Sequence, residues 1–225
     1  MSARTRAPVF EPRAVVVRAH LSGTPLSRRH EQTVNGKLAR LPKPQPWAAF
    51  RETEHPRAAR ALATDFWLGV ARGEYAAIGL FAELAVGLSR QGAPLDFVQA
   101  ATQAATDETR HAELCLRMAA CTAGSEQSAE LAPGELGFGL PPLLTDEALD
   151  FTMLEAVAVS ETLATALLTA CQRRATDRLS KSLLTALVSD EVHHARLGWY
   201  YAKYRAELWA PDMRQRLARR VAEFV

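Results

Sequence analysis

An eight-residue pattern, Asp-Glu-x-x-His-Ala-x-Leu, occurs twice in this chain, at residues 107 to 114 and 190 to 197. Each copy lies inside a long stretch whose apolar residues recur every three or four positions, the period of an amphipathic helix. Glu and His three apart share one face of such a helix. Glu108 and His111 share theirs with Ala101, Ala104, Ala105 and Cys115, and Glu191 and His194 share theirs with Leu184, Leu187, Val188 and Ala195. Both are core-facing stripes, and an uncompensated carboxylate buried there is very costly. The fold must therefore bring the two helices together around something positive. A further Glu-x-x-His, Glu52 to His55, lies outside the periodic region and carries no such demand.

The breakers divide the chain. Residues 1–50 hold six of its prolines, show no sustained helical period, and carry an excess of Arg and Lys. They read as a basic, loosely ordered arm, with Val15 to Val17 as a short extended piece; a transit peptide or a partner-binding tail is the alternative. Residues 51–225 form the second unit. A helix is predicted from Pro56 to Gln91, stopped by Gly92, and a second from Pro94 to Thr122, stopped by Gly124. Residues 124 to 145 form a long Gly- and Pro-rich connection. A third helix follows Thr145 to about Ala175, and Asp177 caps a fourth reaching about Ala210. Pro211 opens a short fifth. The expectation is an all-α chain: four long helices in two antiparallel pairs, with a long crossover between the second and third.

Composition narrows the function classes. With 27 basic and 25 acidic residues the chain lacks the basic excess of a nucleic-acid binder. Three cysteines make no disulfide framework. No uninterrupted apolar run of spanning length and no apolar leader is visible, so the expectation is a cytoplasmic protein without a membrane partner.

A pair of metal ions meets the demand for positive charge if the first and third helices each add a carboxylate. The first offers Glu74, on a stripe with Trp67, Val70, Ala71, Ile78 and Phe81, and Glu83, on a more polar face. The third offers Glu161, with Leu154, Val157, Ala158, Ala164 and Leu168, and Glu155. Glu74 and Glu161 are preferred, with Glu83 and Glu155 left as alternatives. Four carboxylates then offset two divalent ions and two imidazoles complete the set. Oxygen and imidazole donors suit iron or manganese. Asp107 and Asp190 lie about 100° around the helix from the motif glutamates, placed to accept the free ring N–H of a ligating histidine on the opposing helix.

On these residues the chain resembles the ferritin-like di-iron carboxylate superfamily, over about residues 56 to 209, and in size it is similar to the small stand-alone ferritin-like proteins. Asp-Glu-Thr-Arg-His at 107 to 111 resembles the motif of bacterial multicomponent monooxygenase hydroxylases. The resemblance implies a ferritin-like four-helix bundle and two metal ions, iron, manganese or one of each. Their ligands would be Glu74, Glu108, His111, Glu161, Glu191 and His194. It also places Cys115 beside the metals, where ribonucleotide reductase subunits carry a radical tyrosine. Leu187 stands where some N-oxygenases have a third histidine, and no Cys-x-x-Cys pair is present.

The function implied is an oxidase or oxygenase that uses O2 on a small organic substrate, with electrons from an external donor. The alternatives are a ferroxidase or peroxide-scavenging protein and a non-catalytic helical interaction module. The aromatic group Trp199, Tyr200, Tyr201, Tyr204 and Trp209 is expected to pack the arm or the fifth helix, with a homo-oligomer contact left open. Six of the 25 acids would face inward, leaving a basic exterior.

Overall fold

Helix ends follow the breakers. The computed structural model describes residues 15–17, 25–39, 47–131 and 145–224. Helix α2 runs Arg57–Gln91 and ends at Gly92, whose φ of 72° is left-handed and whose N–H returns to the carbonyls of Leu88 and Ser89. Helix α3, Leu95–Ala123, ends at Gly124 with φ 75°. Such positive φ values are strained for any residue with a Cβ. Helix α4 spans Asp146–Arg174 and is capped by Thr145, whose Oγ1 accepts from the Ala148 N–H at 3.1 Å. Helix α5, Arg178–Arg205, is capped by Asp177, which accepts from the Ser180 N–H at 2.7 Å. Helix α6 is Pro211–Phe224. The described chain is all-α apart from two three-residue strands, β1 Val15–Val17 and β2 Ala129–Leu131, which pair antiparallel with Val16 opposite Glu130.

Three features depart from the sequence reading. First, the arm contains a helix, α1, Pro25–Ala39, which packs against α3 and α5. It buries one valine, Val34, completely. Among the side chains described in this helix no other apolar residue is buried, so its sequence shows no clear apolar stripe. Residues 1–14, 18–24 and 40–46 of the arm, and 132–144 of the crossover, lie outside the described residues. Second, α4 is not regular: Met153–Val159 is a π-helical stretch, entirely buried, in which the Ser160 N–H reaches back to the Glu155 carbonyl. Third, α5 stops at Arg205 rather than near Ala210, and a tight turn with Leu208 N–H on the Arg205 carbonyl (2.8 Å) leads to Pro211. Proline disfavours the α conformation in the residue before it.

The four long helices pack as two hairpins, α2 with α3 and α4 with α5, which meet through α3 and α5. The core holds three apolar clusters: a small one packs α6 on α4, and two larger ones lie at different heights in the bundle. One gathers Trp67, Ala71, Leu114, Cys115, Leu168, Leu183 and Leu187, together with Val34 of α1. The other gathers Ala77, Phe81, Ala101, Ala104, Met153, Val157, Leu197 and Tyr201. On every long helix the sequence passes from one cluster to the other across the acidic positions, so those positions form a polar layer between two greasy ones.

By length and composition α4 could cross a membrane, with mean hydropathy 1.4 over an 18-residue stretch, of which 56% is buried inside the fold. Its buried part packs against α5 and α6, while Leu163 and Leu167 are exposed.

The aromatic group at the end of α5 does not act as a unit. Tyr201 is buried and donates to Asp150 at 2.6 Å; Trp209 donates to the other Asp150 oxygen at 2.7 Å, and Arg205 to both. Trp209 also packs with Met213 and Leu217 of α6. Trp199, Tyr200 and Tyr204 face outward, because successive helical residues turn by about 100°.

Helices α4 and α5 approach closely at Gly198, where an added Cβ would lie 2.3 Å from the Ala158 nitrogen. Gly198→Ala should force these backbones apart and lower unfolding free energy by about 1–3 kcal/mol, measured by urea denaturation; unchanged stability would show that the approach is not needed.

Candidate metal centre

Each long helix delivers its acidic residues to one layer. Glu74 comes from α2, Glu108 and His111 from α3, Glu161 from α4, just past the π-helical stretch, and Glu191 and His194 from α5. One donor atom each from Glu74, Glu108, His111 and Glu191 lie within 4.8 Å of one another. The same holds for Glu108, Glu161, Glu191 and His194. The two groups overlap at Glu108 and Glu191, so these two carboxylates would be shared if both groups held an ion. No third group of this kind occurs among the described residues.

The geometry is nearly two-fold. Nδ1 of His111 lies 3.2 Å from Glu108, 3.0 Å from Glu191 and 3.7 Å from Glu74. Nδ1 of His194 lies 3.0 Å from Glu108 and 3.2 Å from Glu191. Each ring turns its other nitrogen to the aspartate of the opposite motif: His111 Nε2 to Asp190 at 3.2 Å, His194 Nε2 to Asp107 at 3.6 Å. A carboxylate on the far nitrogen fixes the ring and its tautomer, leaving Nδ1 to face the layer.

Charge in the layer is badly unbalanced without added positive charge. Glu108, Glu161, Glu191, His111 and His194 are all at least nine-tenths buried. Glu108 Oε1 and Glu191 Oε1 are buried with no hydrogen-bond partner, although an imidazole nitrogen sits 3.0 Å from each. Orphaned buried carboxylate oxygens are expensive. They lie on the two shared glutamates, where a cation between the groups would satisfy them, so the donor set fits a pair of divalent ions.

The proton affinities point the same way. Burial, then the charges of Glu108 and Glu191, push the Glu74 carboxyl well above its ordinary range. Burial, then Glu191, does the same to Glu161. Burial works against ionising Glu108 and Glu191, yet hydrogen bonds with His111 and His194 hold both below the usual carboxylate range. Burial likewise opposes a charged His194, but its contacts with Asp107, Glu108 and Glu191 prevail and it is pushed up to about 12. His111 is raised well above its usual value against burial, by Asp190, Glu108, Glu191 and Glu74. The layer thus gathers protons where it lacks other cations.

Around the histidines is a second ring of polar contacts. Arg110, buried, donates to Asp107 at 2.5 Å and to Asp190 at 2.8 Å. Gln103 donates to Asp107 at 2.9 Å, and Lys37 of α1 reaches Asp190 at 2.5 Å. Sequence reasoning missed all three. Arg110 carried a signal, the three-residue spacing from Asp107 inside the motif. Lys37 carried none, since it lies 153 positions from its partner.

The remaining candidates are elsewhere. Glu83 is exposed. Glu155 is buried but turned to Arg220 of α6, which also lies over the Phe151 ring at 4.6 Å. Cys115 is fully buried in the apolar cluster; burial, then the nearby Glu74 charge, push its thiol up, so it sits beside the layer as a protonated thiol and is absent from both donor groups. His193 is exposed. His55 stacks on Phe50 at 5.2 Å and lies 3.8 Å from Asp177, apart from the layer. No protein-family model, curated protein or solved structure matches this chain.

Metal uptake should release protons, because ligating imidazoles must be neutral and carboxylates ionised. With both histidines, Glu74 and Glu161 raised, protons compete with metal, so Mn2+ affinity should climb with pH through neutrality rather than level off there. Calorimetry in buffers of different ionisation enthalpy checks this; binding without proton release would contradict it.

Proposed function

We propose that the chain is a ferritin-like di-metal carboxylate protein that uses O2 to oxidise a small organic substrate. The observation that carries this reading is the pair of four-residue donor groups sharing Glu108 and Glu191, held in a polar layer between two apolar clusters. Iron bound there, or manganese with iron, would supply two adjacent redox centres to which O2 can be reduced. Glu74, Glu108, Glu161 and Glu191 balance the charge of two divalent ions, and His111 and His194 complete the shell. Asp107 and Asp190 hold the two rings in place. The apolar clusters exclude water from the layer, which guards a reactive centre against side reactions. Electrons must come from a separate donor.

An oxygenase keeps its metals, whereas a ferroxidase must pass iron through. The depth of the layer supports the first: Glu108, His111, Glu191 and His194 are at most 3% accessible, Glu161 is 8% accessible, and Glu74 keeps 12% of its side chain accessible. The outer face at Asp190 is also covered by the cations Lys37 and Arg110, which repel incoming Fe2+.

Rapid mixing of the anaerobic Fe2+-loaded protein with O2 tests the reading. The expected result is a fast optical change with two irons oxidised per chain and none thereafter. Glu108→Ala should abolish it, and Asp190→Asn should slow it or weaken metal binding about 10–100-fold. Continued oxidation of added iron with growth of mineral would identify a ferroxidase. Failure to retain iron or manganese would leave a non-catalytic helical protein.

A further inference from the structure

The centre is nearly symmetric under exchange of its two halves: Glu74 with Glu161, Glu108 with Glu191, His111 with His194, Asp107 with Asp190. Arg110 touches both aspartates and so does not distinguish them. Beyond it the halves differ by one whole charge. Asp107 receives the neutral amide of Gln103 at 2.9 Å, whereas Asp190 receives the Lys37 ammonium at 2.5 Å. Lys37 belongs to α1, and nothing equivalent approaches Asp107 among the described residues.

We propose that Lys37 makes the two metal positions unequal, so that the one served by Glu74 and His111 holds a divalent ion more weakly than the one served by Glu161 and His194. This rests on the di-metal reading above. Two effects act together. The ammonium repels a dication on its own side, and in a largely buried setting that repulsion is poorly screened. Asp190, already bound by two cations, also draws less on the ring N–H of His111, which leaves Nδ1 a poorer donor. The longer His194–Asp107 separation, 3.6 Å against 3.2 Å for His111–Asp190, works the other way. A slight turn of the ring closes that gap, whereas no turn of His111 removes a charge.

Anaerobic calorimetric titration of the full chain with Mn2+ alone tests the assignment. The wild type should bind in two steps separated by about 10-fold or more, the size of effect that changes around a ligand produce. Glu74→Ala should abolish the weaker step and Glu161→Ala the tighter one. Lys37→Met should tighten the weaker step and narrow the gap. Because that variant could undock α1, Gln103→Lys provides a second arm: a cation on Asp107 should weaken the tighter step with α1 left in place. Two equal steps, loss of the tighter step in Glu74→Ala, or a gap unmoved by both charge variants would overturn the proposal. No Mn2+ binding at all would instead overturn the di-metal reading itself.

Discussion

Four carboxylates in one buried layer cannot all stay ionised without cations beside them, and the rest of the architecture follows from that constraint. The layer needs a residue from each of four helices, so two hairpins must face each other with their registers aligned. It needs fixed imidazoles, hence the aspartates behind them, and those aspartates in turn need Arg110, Gln103 and Lys37. Each shell of polar groups exists to settle the one inside it. Apolar clusters above and below the layer supply the burial that an acidic layer cannot.

The parts of this that were legible in the sequence are those written in local spacing. The doubled motif located two helices and the faces they turn inward. Stripe composition separated Glu74 from Glu83, because burial follows the apolar neighbours at three and four positions. Glycine and proline marked the helix ends. Glu155 against Glu161 was less decisive, and the structure explains why: the π-helical stretch changes the phase of α4 between them, so both are buried, one against Arg220 and one in the layer. The docking of α1 was not legible at all. Among its described side chains, His30, Val34 and Lys37 turn inward and only Val34 is apolar; the other two meet Glu113 and Asp190, far away in sequence.

The charge balance also reads differently once the fold is known. The chain has 27 basic and 25 acidic residues. The six acids expected inside are joined by Glu113, Asp150 and Glu155, all buried, and each of these brings an arginine with it: Arg117, Arg205 and Arg220. Arg110 is drawn in as well. The inward shift of acid is therefore larger than the motifs alone suggest, and it is answered in part by arginines whose side chains stay partly open, Arg220 to 41%.

The contact at Gly198 fixes one edge of the polar layer. There α4 and α5 meet main chain to main chain, with Ala158 against a residue that has no side chain to rotate. That junction sits one turn beyond His194 and just ahead of Glu161, so the spacing of those two ligands is set by backbone atoms. That edge of the layer behaves as a hard stop: Glu161 and His194 cannot draw closer without main chain meeting main chain.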